Sequence, residues 1–158
     1  MLHLNCDAFA KDDSELGDFR ELEMTIKLTD ETPVRRAYNS IPRPLYEEVR
    51  AHITDMINRR IVRPSTSNYC SPLVVVRKKN GKLRICTDFR AINSKTVPEN
   101  NPIPKVQDIV DSLSGMTYFS TLDMKEAYHQ GYVHPNSRHY TAFTCPQVYT
   151  NTYVFHTG

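Results

Sequence analysis

The sequence predicts a single α/β domain in which helices pack on an antiparallel sheet, and three observations lead there. At 158 residues the chain suits one domain, on a prior of roughly 150 residues apiece. Residues 45–59 repeat apolar side chains at helical spacing. An apolar β-branched run at residues 73–76 and an alternating run at 83–89 stand on either side of Asn80-Gly81, the pattern of a β-hairpin.

Each element follows from its own residues. Residues 1–31 hold nine Asp and Glu with little periodicity and are expected to be a disordered acidic leader or linker. Near its end Met24, Ile26 and Leu28 alternate with polar neighbours, a short half-buried strand that stops near Pro33. Pro44 then suits the first turn of a helix whose apolar face is Leu45, Val49, Ile53, Met56 and Ile57. Arg59 and Arg60 favour the negative end of its dipole, and Pro64 lies beyond its end.

The hairpin comes next. Leu73–Val76 form one arm, and Leu83, Ile85, Thr87 and Phe89 form the apolar side of the other, with basic residues gathered at the tip. A connection punctuated by Pro98, Pro102 and Pro104 leads to a second amphipathic helix through Val106, Ile109, Val110 and Leu113, capped by Gly115. Tyr118–Leu122 read as a buried strand ending at Asp123. A short helical turn at 126–129 and a strand over Tyr140–Thr144 complete the series.

Charge is distributed unevenly. Residues 77–95 carry Arg77, Lys78, Lys79, Lys82, Arg84, Arg90 and Lys95 against the single acid Asp88. Such a stripe suits a polyanion, and equally a solvated hairpin. The four cysteines are widely spaced, and no apolar run approaches the roughly 18 residues of a membrane span. An intracellular, reducing setting is the expectation, in the cytoplasm, in particles or in the nucleus, with no membrane partner.

Asp123 is the candidate catalytic residue. A carboxylate fixed at the end of an apolar strand can hold a metal ion for phosphoryl transfer, where catalysis is mostly positioning and charge neutralisation. The same position also suits an ordinary N-cap.

The longer run from Ser71 through Lys78-Lys79-Asn80-Gly81 to Thr87-Asp88-Phe89-Arg90-Ala91-Ile92-Asn93 resembles the fingers hairpin of gypsy-type LTR retrotransposon reverse transcriptases, encoded in the Pol polyprotein. Ile61–Ser65, Pro102-Ile103-Pro104, Phe119–Gln130 and Thr141–Thr144 resemble further blocks of that family in the same order, so the resemblance covers about residues 32–146.

It implies right-hand polymerase fingers plus an incomplete palm, and an RNA-directed DNA polymerase that transfers deoxynucleotides by a two-metal mechanism. Asp123 would then be a Mg²⁺ ligand. Lys79, Arg84, Met124, Lys125 and Tyr128 would border the incoming deoxynucleoside triphosphate, and Lys78 and Arg90 would meet the template of an RNA or DNA template-primer. Mg²⁺ is the only cofactor implied. Apart from those roles, Arg84 could pair with Asp88, and Tyr128 could be a core aromatic.

The sequence departs from the family at several points. Residues 147–158 read as a divergent tail without a Pro-Phe-Gly block, and no Tyr-x-Asp-Asp occurs. Gly131 stands where an apolar strand residue is usual, which predicts a weakened strand or a bulge. Glu126 is expected to face solvent. The expectation is a polymerase fragment inactive alone, against a non-catalytic nucleic-acid-binding module or an unselected relic.

Overall fold

The computed structural model describes residues 9–11, 19–79, 81–100, 102–124, 126–145 and 149–155. In chain order the strands are β1 (Phe19–Met24), β2 (Val62–Ser65), β3 (Ser71–Arg77), β4 (Leu83–Thr87), β5 (Gly131–Val133), β6 (Phe143–Cys145) and β7 (Tyr149–Phe155). The α-helices are α1 (Tyr46–Asn58), α2 (Arg90–Asn93) and α3 (Val106–Ser112).

One five-stranded sheet, ordered β2-β7-β6-β3-β4, organises the molecule. It is mixed, not purely antiparallel: β3 and β6 run parallel, with Ser71 opposite Phe143, and the other three pairings are antiparallel. β2 is an edge strand, which explains how it accommodates Pro64, a residue with no N–H for a further ladder.

Side-chain alternation gives the sheet two buried faces. On one, Val49, Ile53 and Met56 of α1 pack against Ile61, Val62, Leu73, Phe143, Cys145 and Tyr153. Each large apolar side chain so buried contributes about 1.5–3 kcal/mol. On the other face Ala142 and Val154, the immediate neighbours of Phe143 and Tyr153, join Tyr69, Ile92 and Tyr140, with Ile26, Leu28 and Phe89 against them.

The α1 periodicity predicted from sequence is realised, with Pro44 in a tight 3₁₀ turn just ahead of the helix. The helix stops in a left-handed cap. Arg60 has φ +58°, its N–H donates to the Ile57 carbonyl, and the Ile61 N–H donates to that of Met56. That double bond pattern closes a helix C-terminus and usually employs glycine.

Several expectations change, among them the strand read over Tyr140–Thr144: residues to Thr141 are a 3₁₀ turn, and the strand is β6, Phe143–Cys145. The strand foreseen over Met24–Leu28 lies earlier, as β1, while Leu28 makes only an isolated bridge to Thr96. Residues 19–24 of the acidic leader thus form β1. β1 runs parallel to β5, and Gly131 permits the approach: a Cβ there would stand 2.9 Å from Leu22 Cδ2.

Tyr118–Leu122 form no strand. No strand among the described residues pairs with this stretch, and Tyr118, Phe119 and Leu122 face solvent. An apolar run without a ladder partner or a surface to cover has nothing to hold it extended. α3 forms as predicted, with Gly115 at φ +77° after it, yet it buries no residue. Finally, the segment 147–158, set apart in sequence as a tail, contains β7, which lies inside the sheet between β2 and β6.

Candidate nucleic-acid and nucleotide site

The hairpin β3–β4 is the framework of the basic surface. Val76 lies opposite Arg84 and Arg77 opposite Leu83, so the link between the arms is 78–82. The Lys78 N–H donates to the Lys82 carbonyl, and Gly81 takes φ +81°. Asn80 lies outside the described residues. Arg77 ties the hairpin to α1: its guanidinium donates to the Gly81 carbonyl at 2.7 Å and to Glu48 at 3.1 Å.

Lys78, Lys79 and Arg84 are all exposed on this braced element. Arg84 does not pair with Asp88. Asp88 binds Arg90 instead, in a bidentate contact with Nε at 2.8 Å and a terminal nitrogen at 2.7 Å, and also accepts from the Arg90 backbone N–H. These bonds to Arg90 hold the Asp88 carboxyl down at about 2. The Arg90 side chain itself is 89% exposed, so a neighbouring anion can still reach it.

The remaining candidates sit on another stretch. Asp123 and Met124 lie in the exposed coil that follows α3, and Lys125 lies outside the described residues. Tyr128 stands in the 3₁₀ turn Ala127–His129 and is 92% exposed, which removes the core-aromatic reading. No hydrogen bond or ion pair joins Lys78, Lys79 or Arg84 to Asp123, Met124 or Tyr128 among the described residues. The structure therefore displays two sets of candidates without bringing them into contact.

Glu126 is solvent-exposed, as read from the sequence, and it also pairs across the fold. Its backbone is left-handed, φ +46°, and its carboxylate receives Arg59 at 2.8 Å and faces His129 Nδ1 at 3.3 Å. Burial alone would raise this carboxyl, but the hydrogen bonds from Arg59 and His129 hold it below its ordinary value. The available signal was the basic end of α1, which sequence reasoning assigned only to the helix dipole.

A metal centre is not assembled here. Among the described residues no three His, Cys, Asp or Glu side chains are grouped to hold an ion, and Asp123 is a lone exposed carboxylate. Two dications bridged in line need several fixed oxygen ligands, and these residues do not supply them.

The profile of the family described as "Reverse transcriptase (RNA-dependent DNA polymerase)" matches residues 76–157, more than half the chain. The chain belongs to the reverse transcriptase family. The match takes in the whole of β7, and so runs through the segment read in sequence as divergent.

Among reverse transcriptase relatives, the Retrovirus-related Pol polyprotein from transposon 412 of Drosophila melanogaster is 33% identical over 87% of this chain and 12% of its own length. That from transposon gypsy of the same organism is 34% identical over 87% of this chain and 14% of its own. The transposon Tf2-3 polyprotein of Schizosaccharomyces pombe is 30% identical over 80% of this chain and 10% of its own. The chain thus spans a small share of the curated relatives it matches.

Solved structures agree on the fold. Native prototype foamy virus protease-reverse transcriptase superposes with a TM-score of 0.82 at 19% identity, over 99% of this chain and 21% of that one. The foamy viral protease-reverse transcriptase in complex with RNA/DNA hybrid gives 0.78 at 19% identity, over 99% and 21%. Among the described residues no helix is long and apolar enough to cross a membrane.

Proposed function

We propose that this chain supplies the fingers and the opening of the palm of a gypsy-type retrotransposon reverse transcriptase, where it contacts template-primer and the incoming deoxynucleoside triphosphate. The observation that carries the reading is the braced basic hairpin. Lys78, Lys79 and Arg84 project into solvent from a two-stranded arm fixed to α1 through Arg77 and Glu48. A rigid element lets cations meet phosphates without first being ordered.

Within this reading Lys78 and Arg90 meet template phosphates, while Lys79 and Arg84 meet the triphosphate; a guanidinium's planar fork suits two phosphate oxygens at once. Tyr128, presented bare on its turn, lies beneath the nucleotide sugar. Met124 and Lys125 border the same nucleotide. Family members are generally divalent-metal dependent, and Asp123 is the carboxylate this chain brings towards Mg²⁺. The chemical step needs further ligands, so the chain by itself does not polymerise. Cys70, Cys86 and Cys145, which form no disulfide among the described residues, suit a reducing compartment, in cytoplasm, element particles or nucleus.

The test is binding of a labelled template-primer as salt is raised. Each phosphate contact adds roughly 0.7–0.9 to the slope of log affinity against log salt, so Lys78→Ala and Lys79→Ala should each flatten it. A flat response in the unaltered chain would remove the reading. Separately, Mg²⁺-dependent templated extension that disappears in Asp123→Asn would overturn the expectation of inactivity.

A further inference from the structure

A concavity on the hairpin side of the sheet is accounted for by none of the roles above. The segment 34–39 runs beside the start of β3, pinned by the Arg36 N–H to the Cys70 carbonyl at 3.0 Å and by Asn39 Nδ2 to the Leu73 carbonyl at 3.0 Å. On the other side of β3, the Asp88 N–H donates to the Pro72 carbonyl at 2.9 Å. Between these two attachments lies a hollow of about 570 Å³ lined by Arg36, Asn39, Pro72, Asp88, Arg90 and Ser94. That volume falls in the range of small-ligand sites.

Its charge balance is informative. Two guanidiniums line it against one carboxylate, and both oxygens of that carboxylate are engaged by Arg90. The Arg36 guanidinium lies within electrostatic reach of Asp88 but makes no hydrogen bond or ion pair among the described residues, so its fork of donors is available to a ligand. An anion placed here meets Arg36 directly and Arg90 on a side chain already oriented by Asp88.

We propose that Arg36 and Arg90 together seat one phosphodiester of a single nucleic-acid strand, Arg36 being the contact that nothing yet assigns. The inference rests on the template-binding reading of Arg90 and extends it. A strand fits better than free phosphate because the basic residues are spread along one edge. β4 leads from the hairpin tip to the Asp88 corner, and its five residues span about 17 Å. A polynucleotide presents phosphates at both ends of that distance at once; inorganic phosphate does not.

The experiment measures anisotropy of a labelled single-stranded RNA of about 12 nucleotides on the full chain across a salt series. Arg36→Ala should flatten the log–log slope by about 0.7, and Arg36→Lys should restore most of it. Arg50→Ala, on the solvent side of α1, should leave the slope unchanged. A wild-type slope in Arg36→Ala overturns the inference while leaving the template reading intact. Failure of the unaltered chain to bind RNA overturns both. Inorganic phosphate that binds as tightly as the RNA, and with the same loss in Arg36→Ala, overturns the assignment to a strand.

Discussion

Arg59 and Glu126, 67 positions apart, meet at 2.8 Å and join the end of α1 to the turn that presents Tyr128. Among the described residues, the non-glycine positive φ angles fall at Arg60, next to Arg59, and at Glu126 itself. A helix cap and a loop are thereby held in one register, with His129 as a third partner.

Because both side chains are partly exposed, the pair should be worth about 0.2–1 kcal/mol in a double-mutant cycle of Arg59→Ala and Glu126→Gln. Its pH dependence has a fixed sign. The Glu126 carboxyl is lowered in the folded chain, so the stability it adds is present above the unfolded value of about 4.3 and is lost as pH falls through the lower folded value. Arg59 and His129 contact this carboxylate, and His52 lies within electrostatic reach of it. Amide exchange at His129, whose N–H donates to the Glu126 carbonyl, should quicken as the acid side is reached.

Asp88 should titrate at about 2 by carboxyl carbon NMR, and Arg90→Ala should move the midpoint up towards about 3.9. The stability linked to this group is likewise complete above the unfolded value and declines as the pH drops towards 2. An unshifted midpoint in the unaltered chain would contradict the bidentate contact.

Arg60→Gly should stabilise the protein. Arg60 occupies the left-handed cap at φ +58°, where a Cβ costs roughly 1 kcal/mol and glycine is the usual occupant. Urea unfolding is the measurement, and a midpoint that falls would show that the arginine side chain does more there than its exposure suggests.

Phe143→Ala should cost about 3–5 kcal/mol, because Phe143 is 1% exposed, stacks on Tyr153 and meets the tilted ring of Phe155 from the neighbouring strand. By contrast Leu122→Ser should change stability by less than about 0.5 kcal/mol. Leu122 is 78% exposed, so its loss should appear instead as weaker binding of a hydrophobic dye. Equal costs for the two substitutions would mean that the 116–124 stretch is covered in solution.

Local patterns were legible where they are self-sufficient. The spacing Val49, Ile53, Met56 specifies a helix with one buried face, and the alternation through Ile85 specifies an arm of a hairpin; both formed as read. Patterns that depend on a distant partner were not. Tyr118–Leu122 has strand composition but no ladder among the described residues, and α3 has an apolar face of which no residue is buried. β7 was missed for the opposite reason, since its role comes from neighbours at 62–65 and 143–145 that no local window contains. At the site, Lys78, Lys79 and Arg84 were readable as exposed cations. The pairing of Asp88 with Arg90 and of Arg59 with Glu126 depends on folded geometry.

The position of β7 also sets a timetable. Val62 pairs with Phe155, and β2 has no other neighbour in the sheet. During synthesis the helix and the hairpin can form from adjacent residues, but β2 must wait for a strand made roughly ninety positions later. At ribosomal speeds that is a delay of about 5–20 s. For that interval the apolar side of α1 lacks the cover of Phe143, Cys145 and Tyr153, and an unpaired strand edge is open to other chains. The nascent protein is therefore at risk of misassociation just before β7 emerges, which makes this a stage at which a chaperone would matter.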